Sequence, residues 1–422
     1  MSLHRGLFFD LKLWERLMKQ NKHVLPLMSA ALMVSSISSA FAAETVYEAL
    51  ATGTASGNVN LRYEAVSQDN TLQDASALTL RTRIGYQTAD LSGWSVGVEF
   101  EDSRIVMGQG DYTVGPTGYN LGEYSVIADP ETTELDQAFV QYKNENLTLK
   151  VGRQVIALDG QRFVGHVGWR QDRQTFDGAT VIYQANDKLK IHYSYLNQRN
   201  RIFAELADLD SKDHLLNVNY KTSLGALTAY SYLLEVDNTT TNSLDTYGFS
   251  FKGANKPSTK GDLSYNYMFE YATQTSETGS TSYDANYLFA EVGVNFSKVT
   301  AKLGYEVLGS DNGEYAFATP LATLHKFNGW SDQFLNTPAV GLVDVIFTLS
   351  GKAAGGKWLA AYHDFSADET STGADDLGSE INLQYSISLA KKYTTAIKYA
   401  KYSGANGKVD ANKVWLWVST GF

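Results

Sequence analysis

Apolar and polar residues alternate with period two through most of this chain. Val59, Leu61, Tyr63 and Ala65 alternate with Asn58, Asn60, Arg62 and Glu64. Trp94, Val96, Val98 and Phe100 alternate with Ser95, Gly97, Glu99 and Glu101. Leu263, Tyr265, Tyr267, Phe269 and Tyr271 alternate with Ser264, Asn266, Met268 and Glu270. Period two puts successive side chains on opposite faces of a strand. Eighteen segments read this way, at 54–66, 76–88, 93–102, 134–143, 147–155, 176–185, 188–197, 212–221, 226–236, 244–253, 262–272, 283–296, 299–309, 340–350, 357–365, 377–389, 393–402 and 412–422. Sixteen strands is the alternative count, with 340–350 and 357–365 the weakest segments.

The connections between these segments alternate as well. Short turns, such as Asn144–Asn146 and Ser297–Lys298, follow even strands. Long loops follow odd ones: Ser103–Thr133, Ile156–Thr175, Asn197–Ser211, Thr273–Ser282, Gly309–Ala339 and Ser366–Asp376. Tight turns at one end and long loops at the other are the plan of an outer-membrane barrel. The broader apolar face is rich in Tyr, Phe and Trp near strand ends, where rings suit a membrane interface. The other face carries Arg, Lys, Glu, Asn, Gln and Gly, which suits a water-filled lumen better than a packed interior. The fold class expected is all-β: a transmembrane, antiparallel, up-and-down β-barrel of about 18 strands around an aqueous lumen. Pro116, Pro130, Pro257, Pro320 and Pro338 all fall in connections, as a closed hydrogen-bonded ladder requires.

Composition narrows this further. The chain has no Cys, so disulfides and thiolate metal sites are excluded. No run beyond the leader approaches the roughly 18–20 apolar residues of a membrane helix. The charge is acidic and there is no basic run, which argues against nucleic acid as a partner. Residues 1–42 read as a secretory signal: Lys19, Lys22 and His23, an apolar run from Val24 to Ile37, then Ala40-Phe41-Ala42. Met18 opens a signal of ordinary length and is the expected true start. The leader holds five basic and two acidic residues, leaving 30 basic and 44 acidic, a net of −14. Residues 43–53 are expected to form a short periplasmic lead, and 54–422 the barrel.

Charge is densest in Gly152–Gly178, which holds Arg153, Arg162, Arg170 and Arg173 among Asp159, Asp172 and Asp177. Gly152–Gln154 (GRQ), Asp159 with Arg162-Phe163, Gly168–Gln171 (GWRQ) and Gln174–Gly178 (QTFDG) resemble the alginate-export family of outer-membrane barrels. So does Thr319–Pro338 (TPLATLHKFNGWSDQFLNTP). The resemblance implies an eighteen-stranded channel with an Arg-lined, anion-favouring lumen, and its namesake passes a polyuronate outward. Arginine forks bind carboxylates bidentately, which fits such a solute.

The expected pore-lining residues are Arg62, Arg81, Arg83, Lys150, Arg153, Arg162, Arg170, Arg173 and Lys190, facing an acidic wall of Glu270, Glu291, Glu306 and Glu380. Local pairing, such as Arg83 with Glu99 or Glu101, is the competing reading of the same charges. Strict alternation from Leu149 and Val151 points Arg153 at lipid or the rim. A bulge at Gly152 would turn it inward, the orientation that the resemblance favours. Thr319 as cap and Pro320 in a first turn suggest a short helix with Leu321, Leu324, Phe327 and Trp330 on its apolar side. An aromatic loop of this kind is expected to fold into the channel, with His325, Phe327 and Trp330 at the constriction. No cofactor or metal is expected. The partners expected are outer-membrane lipid, an anionic carbohydrate or organic acid, and, on the export reading, periplasmic transport or secretion proteins.

The function expected is passive passage of hydrophilic, anionic solutes such as uronate oligomers or polymers. A diffusion porin for small organic acids or sugars is the alternative, and a non-conducting adhesin or structural barrel the second. Enzyme readings have little support: His166 near Asp159 and His363-Asp364 are the only hints. Cleavage after Ala42 predicts that N-terminal sequencing of outer-membrane material begins at Ala43; a start upstream of Val24 would refute the leader. Deleting residues 2–17 should leave export intact.

Overall fold

The computed structural model describes residues 43–115, 118–255, 263–370 and 375–422; the leader expected over 1–42 lies outside them. In chain order the elements are a short helix, α1 (Val46–Ala51), and twenty strands. These are β1 (Thr54–Gln68), β2 (Ala75–Gln87), β3 (Trp94–Asp111), β4 (Thr132–Lys143), β5 (Leu147–Gln154), β6 (Thr175–Gln184), β7 (Leu189–Asn200), β8 (Leu209–Lys221), β9 (Ala226–Leu234) and β10 (Asn242–Ala254). Then follow β11 (Ser264–Thr278), β12 (Thr281–Phe296), β13 (Val299–Leu308), β14 (Ser310–Asp311), β15 (Tyr315–Ala316), β16 (Leu342–Ala353), β17 (Gly356–Ser366), β18 (Asp376–Leu389), β19 (Tyr393–Ser403) and β20 (Ala411–Gly421). All but β14 and β15, a small hairpin inside one loop, form a single 18-stranded antiparallel sheet of sequential neighbours.

The sheet closes where β1 meets β20, from Asn58↔Gly421 to Gln68↔Ala411. The C-terminal Phe422 finishes the seam, exchanging backbone hydrogen bonds with Gly57 at 3.0 and 3.1 Å. Closure satisfies every strand edge, which hydrocarbon demands. Alternation decides which side meets lipid. Ile84, Val96, Phe100, Val151, Tyr265, Phe269, Leu303, Phe347 and Ile381 are all exposed on the outer surface. Their neighbours Arg83, Ser95, Glu101, Glu270, His363 and Asn382 are buried inside.

Two expectations need correction. No loop spans 273–282: β11 and β12 stay paired out to Thr278↔Thr281 and turn at Gly279-Ser280. Gly279 supplies the left-handed backbone (φ 61°) that so tight a turn uses. The alternation fades there because both faces of the hairpin tip are polar. The helix expected near Thr319 is also absent. Only a single 3-10 turn, Leu324–Lys326, forms, because the Leu321 carbonyl accepts from the backbone N–H of Gly165 (2.8 Å) and from the Gln174 side chain (3.1 Å). The tertiary partner takes the acceptor that a helix would need.

The lead at 43–53 contains α1, capped by the Thr45 hydroxyl accepting from the Glu48 N–H at 3.1 Å. It is fastened to the short β2–β3 turn by Ala43 N–H to the Asp90 carbonyl (2.7 Å) and Ala89 N–H to the Ala49 carbonyl (2.9 Å). Phe269→Arg on the outer face is expected to impair insertion, since a midplane charge costs about 2–4 kcal/mol. Glu270→Gln, one residue away but inside, should fold like the wild type. Folding into lipid vesicles, read by heat-modifiable gel mobility, tests the pair; equal behaviour would mean the faces are misassigned.

Candidate functional site

Eighteen strands enclose more space than wall side chains fill. Two connections enter it: residues 155–174 between β5 and β6, and 309–341 between β13 and β16. They contain the two stretches singled out in the sequence, and inside the barrel they pair with each other. Val164 and Leu321 form a short parallel bridge, and the Thr323 N–H donates to the Gln161 carbonyl at 3.1 Å. Gln174 cross-links both loops, donating to the carbonyls of Gly165 (2.8 Å) and Leu321 (3.1 Å). The Trp169 and His325 rings stack at 4.6 Å, 5° from parallel. Phe163 packs on Tyr230 and Tyr287, at 5.1 and 5.3 Å between ring centres. The result is a plug built from both loops.

Arginine–carboxylate contacts pin this plug to the wall. Arg162 donates to Glu306 of β13 at 2.7 Å, and also to Thr319 (3.3 Å) and Asn328 (3.1 Å). Arg170 reaches Glu64 of β1 (2.9 Å) and Asp332 (3.3 Å). Arg173 meets Asp136 and Glu99; beside the plug, Arg62 of β1 meets Asp129 of the β3–β4 loop, which accepts from the Gln171 N–H at 3.0 Å, and Arg83 meets Glu101 within the wall. Arg81 donates to the carbonyls of Arg170 (3.0 Å) and Gly168 (3.4 Å) and to Asn58 (2.7 Å). Arg62, Arg81 and Arg83 thus face loop and carboxylate rather than open lumen. A buried guanidinium needs acceptors for its N–H fork, and the loop supplies them.

The expected acidic wall is likewise engaged. Glu306 also accepts from Tyr287 (2.7 Å) and Asn328 (2.8 Å). Glu380 accepts from the Ser331 N–H at 3.0 Å, with the Trp330 N–H and Ser331 hydroxyl beside it. Gly329, at φ 84°, makes this approach possible; a Cβ there would collide with the Glu380 carboxylate. Glu270 accepts from Tyr230 (3.0 Å) and Glu291 from Lys302 (2.8 Å).

At the centre, Lys398 of β19 sits in a box of indoles, with Nζ 3.8 Å from the Trp330 ring centre, 4.3 Å from Trp169 and 5.3 Å from Trp415. It donates to His325 Nε2 at 2.7 Å. That fixes the tautomer: Nδ1 carries the proton and donates to Asp332 at 2.7 Å. Burial above all pushes the His325 imidazole down to about 3, against the pull of Asp332. It therefore stays neutral at ordinary pH. Asp332 is also held by Lys413 at 2.8 Å.

Other residues lie elsewhere. Arg153 is on the outer face near the long-loop end: the register Val151↔Val140, Arg153↔Ala138 continues with no bulge at Gly152. There it forks onto Asp177 (2.8 and 3.0 Å), which corrects the inward orientation. Lys150 and Lys190 face the lumen near the short-turn end, Lys150 over the Phe139 ring at 4.1 Å. His363 pairs with Asp344 at 3.0 Å, not with its sequence neighbour Asp364, and His166 accepts from the Gly168 N–H at 2.9 Å. Phe327 and Trp330 line a cavity of ≈ 320 Å³ together with Arg162, Phe289, Met268 and Lys326; His325 is buried behind it. Sequence reasoning missed Glu64, Asp129, Asp136, Asp332, Lys398 and Lys413. Inward alternation marks Glu64, Lys398 and Lys413, but nothing local says which loop residue each would meet.

The alginate export family model matches residues 47–187. No curated protein matches the sequence. Among solved structures, Acinetobacter baumannii OccAB1 is similar at a TM-score of 0.68 and 14% identity, covering 88% of this chain and 97% of its own. Pseudomonas aeruginosa OccK9 (OpdG) gives 0.67 and 14%, covering 89% and 100%. Pseudomonas aeruginosa OpdK with vanillate gives 0.66 and 12%, covering 87% and 98%. With its closed 18-stranded barrel and apolar outer surface, the chain folds as a porin-like barrel of the outer-membrane type, and residues 47–187 are similar to the alginate export family.

Proposed function

We propose that this channel passes small organic anions selectively and is not an open conduit for a polyuronate chain. The observation that carries the reading is the plug. Two loops cross-linked to each other are anchored to Asp136 and Glu306 on opposite walls, and to Glu380, Lys413, Glu64 and Glu101 on the arc of wall between them. Removing one partner of a buried, hydrogen-bonded ion pair costs several kcal/mol, about 3–5, so the plug is a fixed part of the native lumen. A cavity of ≈ 320 Å³ beside it matches a compact solute. OpdK, similar in fold, was solved with vanillate, a small aromatic carboxylate.

Anion preference follows from which charges remain available. The arginines are engaged with carboxylates and carbonyls, whereas Lys150 and Lys190 face the lumen with no carboxylate partner among the described residues. Charges close to the passage govern selectivity, since water and salt screen remote ones within about 8–10 Å. The acidic outer loops therefore do not set it.

In planar bilayers the wild type should show a small unit conductance and a zero-current potential on the anion side in a salt gradient. Benzoate should permeate and oligouronates should not. Arg170→Ala, which frees the plug from Glu64 and unlinks its two loops at Asp332, should raise conductance severalfold and admit larger solutes. A wide, cation-preferring wild-type channel that Arg170→Ala leaves unchanged would refute the reading.

A further inference from the structure

On the short-turn side of the plug, Lys326 lines the cavity already described, and Lys252 and Lys302 neighbour its lining residues Met268 and Glu291. Lys252 of β10 lies in the same cross-strand row as Met268 of β11 and Glu291 of β12. Lys302 of β13 bonds Glu291 at 2.8 Å. Lys326, from the plug, reaches down over them, tied by one hydrogen bond to the Gly160 carbonyl at 2.8 Å. Among the described residues neither Lys252 nor Lys326 has a carboxylate partner, and Lys252 makes no hydrogen bond. Burial first, then Lys252 and Lys302, push the Lys326 ammonium below its ordinary value. Two ammonium groups without a carboxylate partner, Lys326 in the cavity lining and Lys252 next to it, favour an anion there.

The cavity supplies the remainder of a binding site. Phe289, Phe327 and Met268 line it next to Glu291 and Lys326. Its other end is acidic: Asp159, hydrogen-bonded by Asn217 at 2.7 Å, and Glu270. Arg162 in the same wall already serves Glu306, Thr319 and Asn328. A carboxylate is thus repelled from the plug end and drawn to the lysine end. Phe289 and Phe327 give the cavity two apolar rings.

We infer that Lys252, Lys302 and Lys326, with Phe289 and Phe327, form an inner binding site for monocarboxylates with a compact apolar body. The carboxylate lies between Lys252 and Lys326, on the short-turn side of the plug. This rests on the small-anion reading and adds the place where the solute pauses. Lysine suits such a station: an ammonium holds a carboxylate as a point charge on a flexible stem, so it can bind and release.

Current block in planar bilayers tests the site, with benzoate as probe and benzamide as its uncharged match. The wild type should be blocked by benzoate more than by benzamide. Lys252→Gln combined with Lys326→Gln should weaken benzoate block by roughly tenfold and leave benzamide unchanged. Lys326 is part of the plug, so Lys252→Gln alone, a change in strand β10, is the deciding variant: it should weaken benzoate block and leave benzamide block at the wild-type level. Benzoate block unchanged in Lys252→Gln, in a channel that still prefers anions, would overturn the site and spare the channel reading. A wild type that does not distinguish benzoate from benzamide would overturn both.

Discussion

A strand facing hydrocarbon can send its backbone hydrogen bonds only to neighbouring strands, so the sheet must close on itself. In this protein the seam is β1 against β20, completed by Gly57 and the C-terminal Phe422. Everything else depends on that closure. Eighteen strands at the ordinary strand spacing leave a lumen that wall side chains cannot fill. Two inserted loops, carrying Arg162, Arg170 and Arg173 on one and Asn328, Ser331 and Asp332 on the other, occupy it instead.

The charges inside divide by chemistry. Guanidinium groups present a rigid fork of donors and hold the plug to Glu64, Asp136 and Glu306, where several acceptors can be satisfied at once. Among the described residues Lys150, Lys190 and Lys252, toward the short-turn end, have no carboxylate partner. Lys398 is held differently. Its place over three indoles and against a neutral His325 replaces hydration with aromatic faces and one hydrogen bond. This makes it a structural centre, joining both loops to β19.

Buried ion pairs of this kind are costly to form and more costly to break. Their use here is geometric. Arg162–Glu306, Arg170–Glu64, Arg173–Asp136 and Lys413–Asp332 each link one loop residue to one wall residue, and together they fix the position of the plug. The cavity against β11, β12 and β13 keeps its shape for that reason.

Alternation along the chain determined the strand count, the antiparallel order and the faces of nearly every strand, because period two is a local property that survives without tertiary partners. The sequence alone also marked both loops as special: one through its arginines, the other through aromatic residues too apolar for free solution. It could not tell that Val164 would meet Leu321, that Arg81 would cap loop carbonyls, or that His363 would face Asp344 instead of Asp364. Those contacts join residues far apart along the chain, and their cause is the closing of the barrel, which brings opposite walls within reach of the same loop. The helix expected after Thr319 failed for the same reason, as the Leu321 carbonyl found its donors, Gly165 and Gln174, on the other loop. Which cations stay free for a solute was decided there too, because only the folded plug shows which acceptors are already taken.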